Sequence, residues 1–142
     1  MKNEKRIARI LLLKKREEDV RRAEVVQAAA RVREVEEVYE ERRRHEAHLH
    51  EVLGRTRDVD ASELQATSAL LAEHRRSLTR VTEALRERRE EHEARHGALA
   101  EAARSRFALE RRRHALLEAK RAREARVEQE ALDDVARRGG RG

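Results

Sequence analysis

His92-Glu93-Ala94-Arg95-His96 is the stretch whose residue types and spacing come nearest to spelling out a reaction. Two imidazoles four residues apart share a helix face and can grip one zinc ion, with the glutamate as general base. Such a centre also needs a third ligand, a cleft for substrate and partners that orient the imidazoles. The heptad phase set out below puts His92 in a seam between helices, and a two-stranded rod has no cleft. In a chain with 29 acids, 35 bases and seven histidines the pattern also arises by chance. His45 and His48 could bind a metal in the same adventitious way. There is no Gly-rich phosphate loop, no cysteine nucleophile and no Ser/His/Asp set. The expectation is a non-enzymatic protein with no catalytic residue, no cofactor and no metal site.

Two arginine triplets, Arg42-Arg43-Arg44 and Arg111-Arg112-Arg113, have the chemistry to hold phosphates. Glutamates flank almost every basic run, which is the pattern of a solvated helix laced with i,i+4 pairs. No aromatic residues are interleaved to stack on bases, and no recognition motif is present. No nucleic-acid partner is expected.

The elements that carry these residues follow from composition. Of 142 residues 45% are charged and 1% aromatic, with no proline and no cysteine. Without bulky side chains a globular core cannot be filled, but Ala, Glu, Arg and Leu are good helix formers. This composition with helical periodicity marks a coiled coil. Disorder shares the composition but lacks the regular apolar spacing. The net charge of +6 is unevenly spread: residues 1–16 carry seven bases and one acid, and residues 111–142 carry ten bases and six acids. The middle is left mildly acidic, so doubling back would bring both basic segments to one end. Absence of cysteine suits a reducing cytoplasm. The apolar run Ile10-Leu11-Leu12-Leu13 is too short for a signal-peptide core or a membrane span.

Helix breakers are few. None interrupts Lys5 to Leu53; then Gly54 offers a left-handed C-cap, and Asp60 with Glu63 a capping box, Ser62 being the other candidate cap. Gly97 is tolerated inside the second helix at about 1 kcal/mol. The sequence therefore predicts one coiled-coil domain over 1–142: a helix over about 4–54, a turn at 55–60, a helix over about 61–137 and a disordered tail at 138–142. In the second helix Leu64, Leu71, Leu78, Leu85 and Leu99 fall on one heptad track, with His92 in the missing slot. Thr67, His74, Val81, Arg88, Arg95, Ala102, Leu109 and Leu116 follow three residues behind. In the first helix Val25, Val32, Tyr39, Glu46 and Leu53 alternate with Ala28, Val35, Arg42 and Leu49. Such alternation keeps one stripe on a partner helix.

The short connection makes the helices antiparallel neighbours. A mirror through the turn puts position i opposite about 115 − i, so the second helix overhangs from about residue 112. The fold class expected is all-α, two long helices forming an antiparallel coiled-coil hairpin with the second helix overhanging.

The N-terminal patch breaks the pattern. Ile7, Ile10, Leu11, Leu12 and Leu13 cover most of the helix circumference, far more than a two-stranded seam can bury, and basic residues from Lys5 to Arg16 surround them. An acidic protein socket is the favoured partner; a membrane surface is the alternative, giving at most peripheral membrane association.

That start, Ile7-Ala8-Arg9-Ile10-Leu11-Leu12-Leu13 running into Lys15-Arg16-Glu17-Glu18, the break near residue 55 and the ending Arg126-Val127-Glu128-Gln129-Glu130-Ala131-Leu132-Asp133-Asp134-Val135-Ala136-Arg137-Arg138 go together. Over nearly its whole length the chain resembles the flagellar and type III secretion export stalk family, FliJ-like in flagella and YscO-like in injectisomes. The closing pattern is an apolar residue, two acids, another apolar residue and alanine before a basic tail. The chain departs from the family in having few aromatics just after the turn.

The resemblance implies a cytoplasmic, soluble protein at the inner face of an export apparatus. Its partners would be the hexameric export ATPase, the cytoplasmic domain of the export gate and, for some members, export chaperones. It implies ATPase-ring contacts at Ile7, Ile10, Leu11, Leu13, Lys14, Lys15, Arg16, Arg123, Arg126, Val127, Leu132 and Val135, and gate contacts at Leu64, Thr67 and Leu71. Flagellum and injectisome both remain open; a generic coiled-coil scaffold or adaptor is the competing class, and a nucleic-acid or membrane-surface binder using the basic end is the third.

Overall fold

A computed structural model describes residues 2–55 and 60–140. It is all-α, with two long helices packed against each other: α1, Lys2–Arg55, and α2, Ala61–Gly139. Among the described residues there is no strand. Both helices are long because the chain offers no proline and because polar side chains satisfy themselves along the helix. Arg76 donates to Glu73, Arg86 to Glu90 and Gln129 to Asp133, all three or four residues apart.

Asp60 holds the N-cap of α2. Its carbonyl accepts from the Leu64 N–H at 2.9 Å, and its carboxylate takes the Ser62 hydroxyl at 3.2 Å. Gly54 does not supply a left-handed cap: α1 runs past it to Arg55, and no described glycine has a positive φ. A glycine costs helix stability but leaves the backbone ladder intact, so the last turn continues, with Arg55 pairing back to Glu51. Most of the expected turn, residues 56–59, and the end of the expected tail, residues 141–142, lie outside the described residues. Arg138 and Gly139, expected in a disordered tail, are helical, and the Gly140 N–H closes on Ala136 O at 3.0 Å.

The packing resolves two compact units, Met1–Asp19 with Ala100–Gly142, and Val20–Leu99. In each, cross-helix pairs run antiparallel. The first unit joins Glu4 to Lys120 and Glu18 to Arg106. The second joins Glu24 to Arg95, Arg31 to Glu91 and Glu36 to Arg89. The paired position numbers add to between 119 and 125, not the 115 expected from the turn. Meshing side chains set the register in steps of three or four residues, so a mirror drawn through the turn misses it by one to three helical turns. Unpaired helix accordingly begins after Lys120 rather than near residue 112.

The core is thin. Ile7, Leu11, Ala28, Leu85 and Ala102 are its buried apolar members, with Glu18 and His74 as buried polar ones. Val25, Val32, Val35, Tyr39, Leu49 and Leu53 of α1, and Leu71, Leu78, Val81, His92 and Leu99 of α2, are half-buried along the same tracks. Leu64 departs from its track and is 59% exposed. It lies in the first turn of α2, where α1 has reached its last turns. The groove there is lined instead by Leu49, Val52, Leu53, Thr67 and Leu70.

Candidate functional site

The candidate interface belongs to the unit formed by Met1–Asp19 and Ala100–Gly142. Its α1 segment divides its apolar residues by helix geometry. Side chains at positions 7 and 11 fall on the face turned to α2, and both are buried, Leu11 to 3%. Ile10 is half-buried beside Leu109 and Leu116 in a groove that Arg6 and Arg112 also line. Leu12 and Leu13 point elsewhere and are 53% and 61% exposed. Of the basic residues, Lys14 is half-buried and pairs with Glu17 at 3.5 Å, while Lys15 and Arg16 are exposed. Lys15 lines a second groove with Leu11, Arg113, His114 and Leu117. The seam is thus flanked on two sides by arginines of the 111–113 triplet.

Polar anchors hold this end together. Glu18, 7% exposed, accepts from Arg106, which also donates to Glu110 at 2.9 Å. The hydrogen bonds to Glu18 and then Glu110 raise the Arg106 guanidinium above its ordinary pKa. Glu4 pairs with Lys120 at 3.5 Å and fixes the first turn of α1 beside α2.

Beyond Lys120 every described residue is exposed through Gly139. This stretch carries Arg123, Arg126, Val127, Leu132 and Val135; the three apolar side chains are each about two-thirds exposed, at 65%, 64% and 67%. Ile7 and Leu11, expected at the same interface, spend their apolar surface inside the unit. Of the expected contact residues, Leu13, Lys15 and Arg16 on α1 and Arg123, Arg126, Val127, Leu132 and Val135 on α2 are exposed, and Leu12 is exposed beside them.

Phe107 escaped the sequence reading. It is 57% exposed, and the Arg111 guanidinium sits 5.6 Å from its ring centre. As the chain's lone phenylalanine, next to an arginine triplet, it could have been singled out. Glu18 and Arg106 were missed too, although they sit seven residues from Val25 and Leu99 on the apolar tracks.

In the other unit, the expected gate contacts are spread. Leu64 is exposed, Leu71 half-buried, and the Thr67 hydroxyl donates back to Glu63 O at 2.7 Å. The His92 and His96 rings lie 6.3 Å apart with His96 exposed. Among the described residues no group of three or more His, Cys, Asp or Glu side chains is placed to hold a metal ion. Nor, among them, is any helix long and apolar enough to cross a membrane.

The class defined is an antiparallel two-helix protein with an apolar-basic end and an unpaired helical extension. No family model matches the chain, and neither a curated protein nor a solved structure matches it significantly.

Proposed function

We propose that the chain is a non-enzymatic stalk of a flagellar or type III protein export apparatus, binding the hexameric export ATPase and coupling it to the cytoplasmic domain of the export gate. The observation that carries this reading is the unpaired part of α2. Residues 121–139 remain helical with no α1 partner, and they present Val127, Leu132 and Val135 to solvent. An isolated helix draws little stability from propensity and depends on packing for its order. An apolar stripe on such a helix is best accounted for by a partner surface, and the wall of a ring is one that encloses a protruding helix. At 1.5 Å per residue the extension reaches about 28 Å, enough to enter a subunit ring. The identity of the ring rests on the resemblance at residues 7–18 and 126–138. Export chaperones and a cytoplasmic location belong to the same proposal.

Deletion of residues 121–142 tests it. The truncated chain should lose 19 of its 133 helical residues (54 in α1 and 79 in α2), about a seventh of the helical signal, with the melting midpoint unchanged. It should no longer stimulate or assemble the export ATPase of its own organism. Normal stimulation by the truncated chain, or none by the full chain, would remove the stalk assignment. A concentration-dependent dimer that the deletion abolishes would replace it with the scaffold reading.

A further inference from the structure

His74 is the least comfortable residue in the seam. It occupies a heptad position between Thr67 and Val81, is 6% exposed, and its Nε2 has no hydrogen-bond partner. A buried polar nitrogen left unmatched forfeits its hydration without return, and an apolar side chain would serve packing better. Its neighbour across the helix pair is another imidazole. The His45 ring, exposed on α1, has its centre 5.3 Å from that of His74, with the planes tilted by 57°.

That separation has a chemical meaning. With Zn–N about 2.0 Å and roughly 1.2 Å from nitrogen to ring centre, two imidazoles on one tetrahedral ion hold their centres about 5 Å apart. The two rings line one groove with Arg42, Glu73, Ser77 and Arg80. The guanidiniums of Arg42 and Arg80 disfavour a cation there, so the affinity must come from the imidazole nitrogens; the one acid of the groove, Glu73, offsets only part of that charge. It pairs with Arg80 at 3.5 Å and with Arg76 at 2.8 Å.

We propose that His45 and His74 form a two-imidazole site for a borderline divalent transition-metal ion such as Zn²⁺ or Ni²⁺, with water completing its coordination. Imidazole nitrogen suits these ions and not Mg²⁺ or Ca²⁺, which seek oxygen. Because the ligands come from different helices, the ion clamps α1 to α2 within this unit. Both residues are near each other only when the helices are paired, so binding favours the folded state by mass action.

The test uses the full chain carrying His92→Ala and His96→Ala, which removes the other close histidine pair. Saturating Zn²⁺ should raise its melting midpoint by about 5 °C. Ni²⁺ should act likewise, and Mg²⁺ should have no effect. His45→Ala, at an exposed position, should abolish the rise. So should His74→Leu, which fills the seam with an apolar side chain and keeps the helices paired without metal. A rise that survives His74→Leu would place the ion on one helix, at His45 and His48, and overturn the cross-helix site. No rise with Zn²⁺, or an equal rise with Mg²⁺, would overturn it as well.

Discussion

Arg106 donates to the carboxylate of Glu18 across the helix pair, joining residues 88 positions apart in the chain. Glu18 is among the most buried residues of the molecule, and Arg106 donates to it from the other helix while also bonding Glu110. The other cross-helix ion pairs are more exposed and contribute about 0–1 kcal/mol each. Glu18 and Arg106 also hold consecutive steps of the apolar tracks, so the pair replaces what would otherwise be a leucine layer.

Arg106→Ala is therefore expected to lower the melting midpoint of the chain more than Arg89→Ala or Arg95→Ala, because it removes the cross-helix donor of a buried carboxylate. The double change Glu18→Leu with Arg106→Leu should restore or exceed the original midpoint, since apolar replacement of a buried pair is often neutral or stabilising. Thermal melts of the four variants check this. A double variant as unstable as Arg106→Ala alone would mean that the pair specifies the register and does more than fill a layer.

Much of this arrangement was legible in the sequence, and the failures have physical causes. Val25, Ala28, Val32 and Val35 announce the α1 seam because apolar residues at steps of three and four leave few other faces to bury. The same phase runs back through Glu18 to Leu11 and Ile7, but charge at Glu18 hid the continuity. Leu64 keeps the heptad step yet lies exposed, because periodicity records a helix face and is blind to where the partner helix stops. Register was misjudged for a related reason: the turn constrains which residues meet near it, while meshing of side chains decides who meets 40 residues away. The Leu12 and Leu13 surplus was visible from the start, since a contiguous apolar run must wrap around a helix. The nearness of His45 to His74 was not visible, because it depends on that register.

Gly97 gives a clean measure of helix propensity in this fold. It lies inside α2, exposed, and a Cβ built there meets nothing within 4 Å. Neither close approach nor an unusual backbone angle requires glycine at this site. Gly97→Ala should stabilise the chain by about 0.5–1 kcal/mol through lower unfolded-state entropy and better helix propensity. Chemical denaturation with an unchanged m-value would register it. Loss of stability instead would show that the glycine gives α2 a bend on which its packing depends.

Leu11 and Leu13 separate folding from binding at the candidate interface. They are two residues apart, so on a helix they face directions about 200° apart. One is buried at 3% exposure and the other lies open at 61%. Removing Leu11 to alanine empties a packed position in a thin core, and a loss near the lower end of the usual range, about 2 kcal/mol, is expected because only one helix covers it. Leu13→Ala should change stability by no more than about 0.5 kcal/mol. The order should invert for the partner. If the export ATPase is the partner, as proposed, a Leu12→Ala, Leu13→Ala variant should fold normally yet bind it at least about tenfold more weakly, since surplus apolar surface beside Lys15 and Arg16 is not buried within the chain. Leu11→Ala, assayed well below its melting midpoint, should bind nearly as tightly as the unmodified protein. Equal loss of binding from both changes would mean that the interface only requires an intact helix end. Unchanged binding in the Leu12, Leu13 variant would move the partner contact away from α1 and leave residues 121–139 as the sole candidate surface.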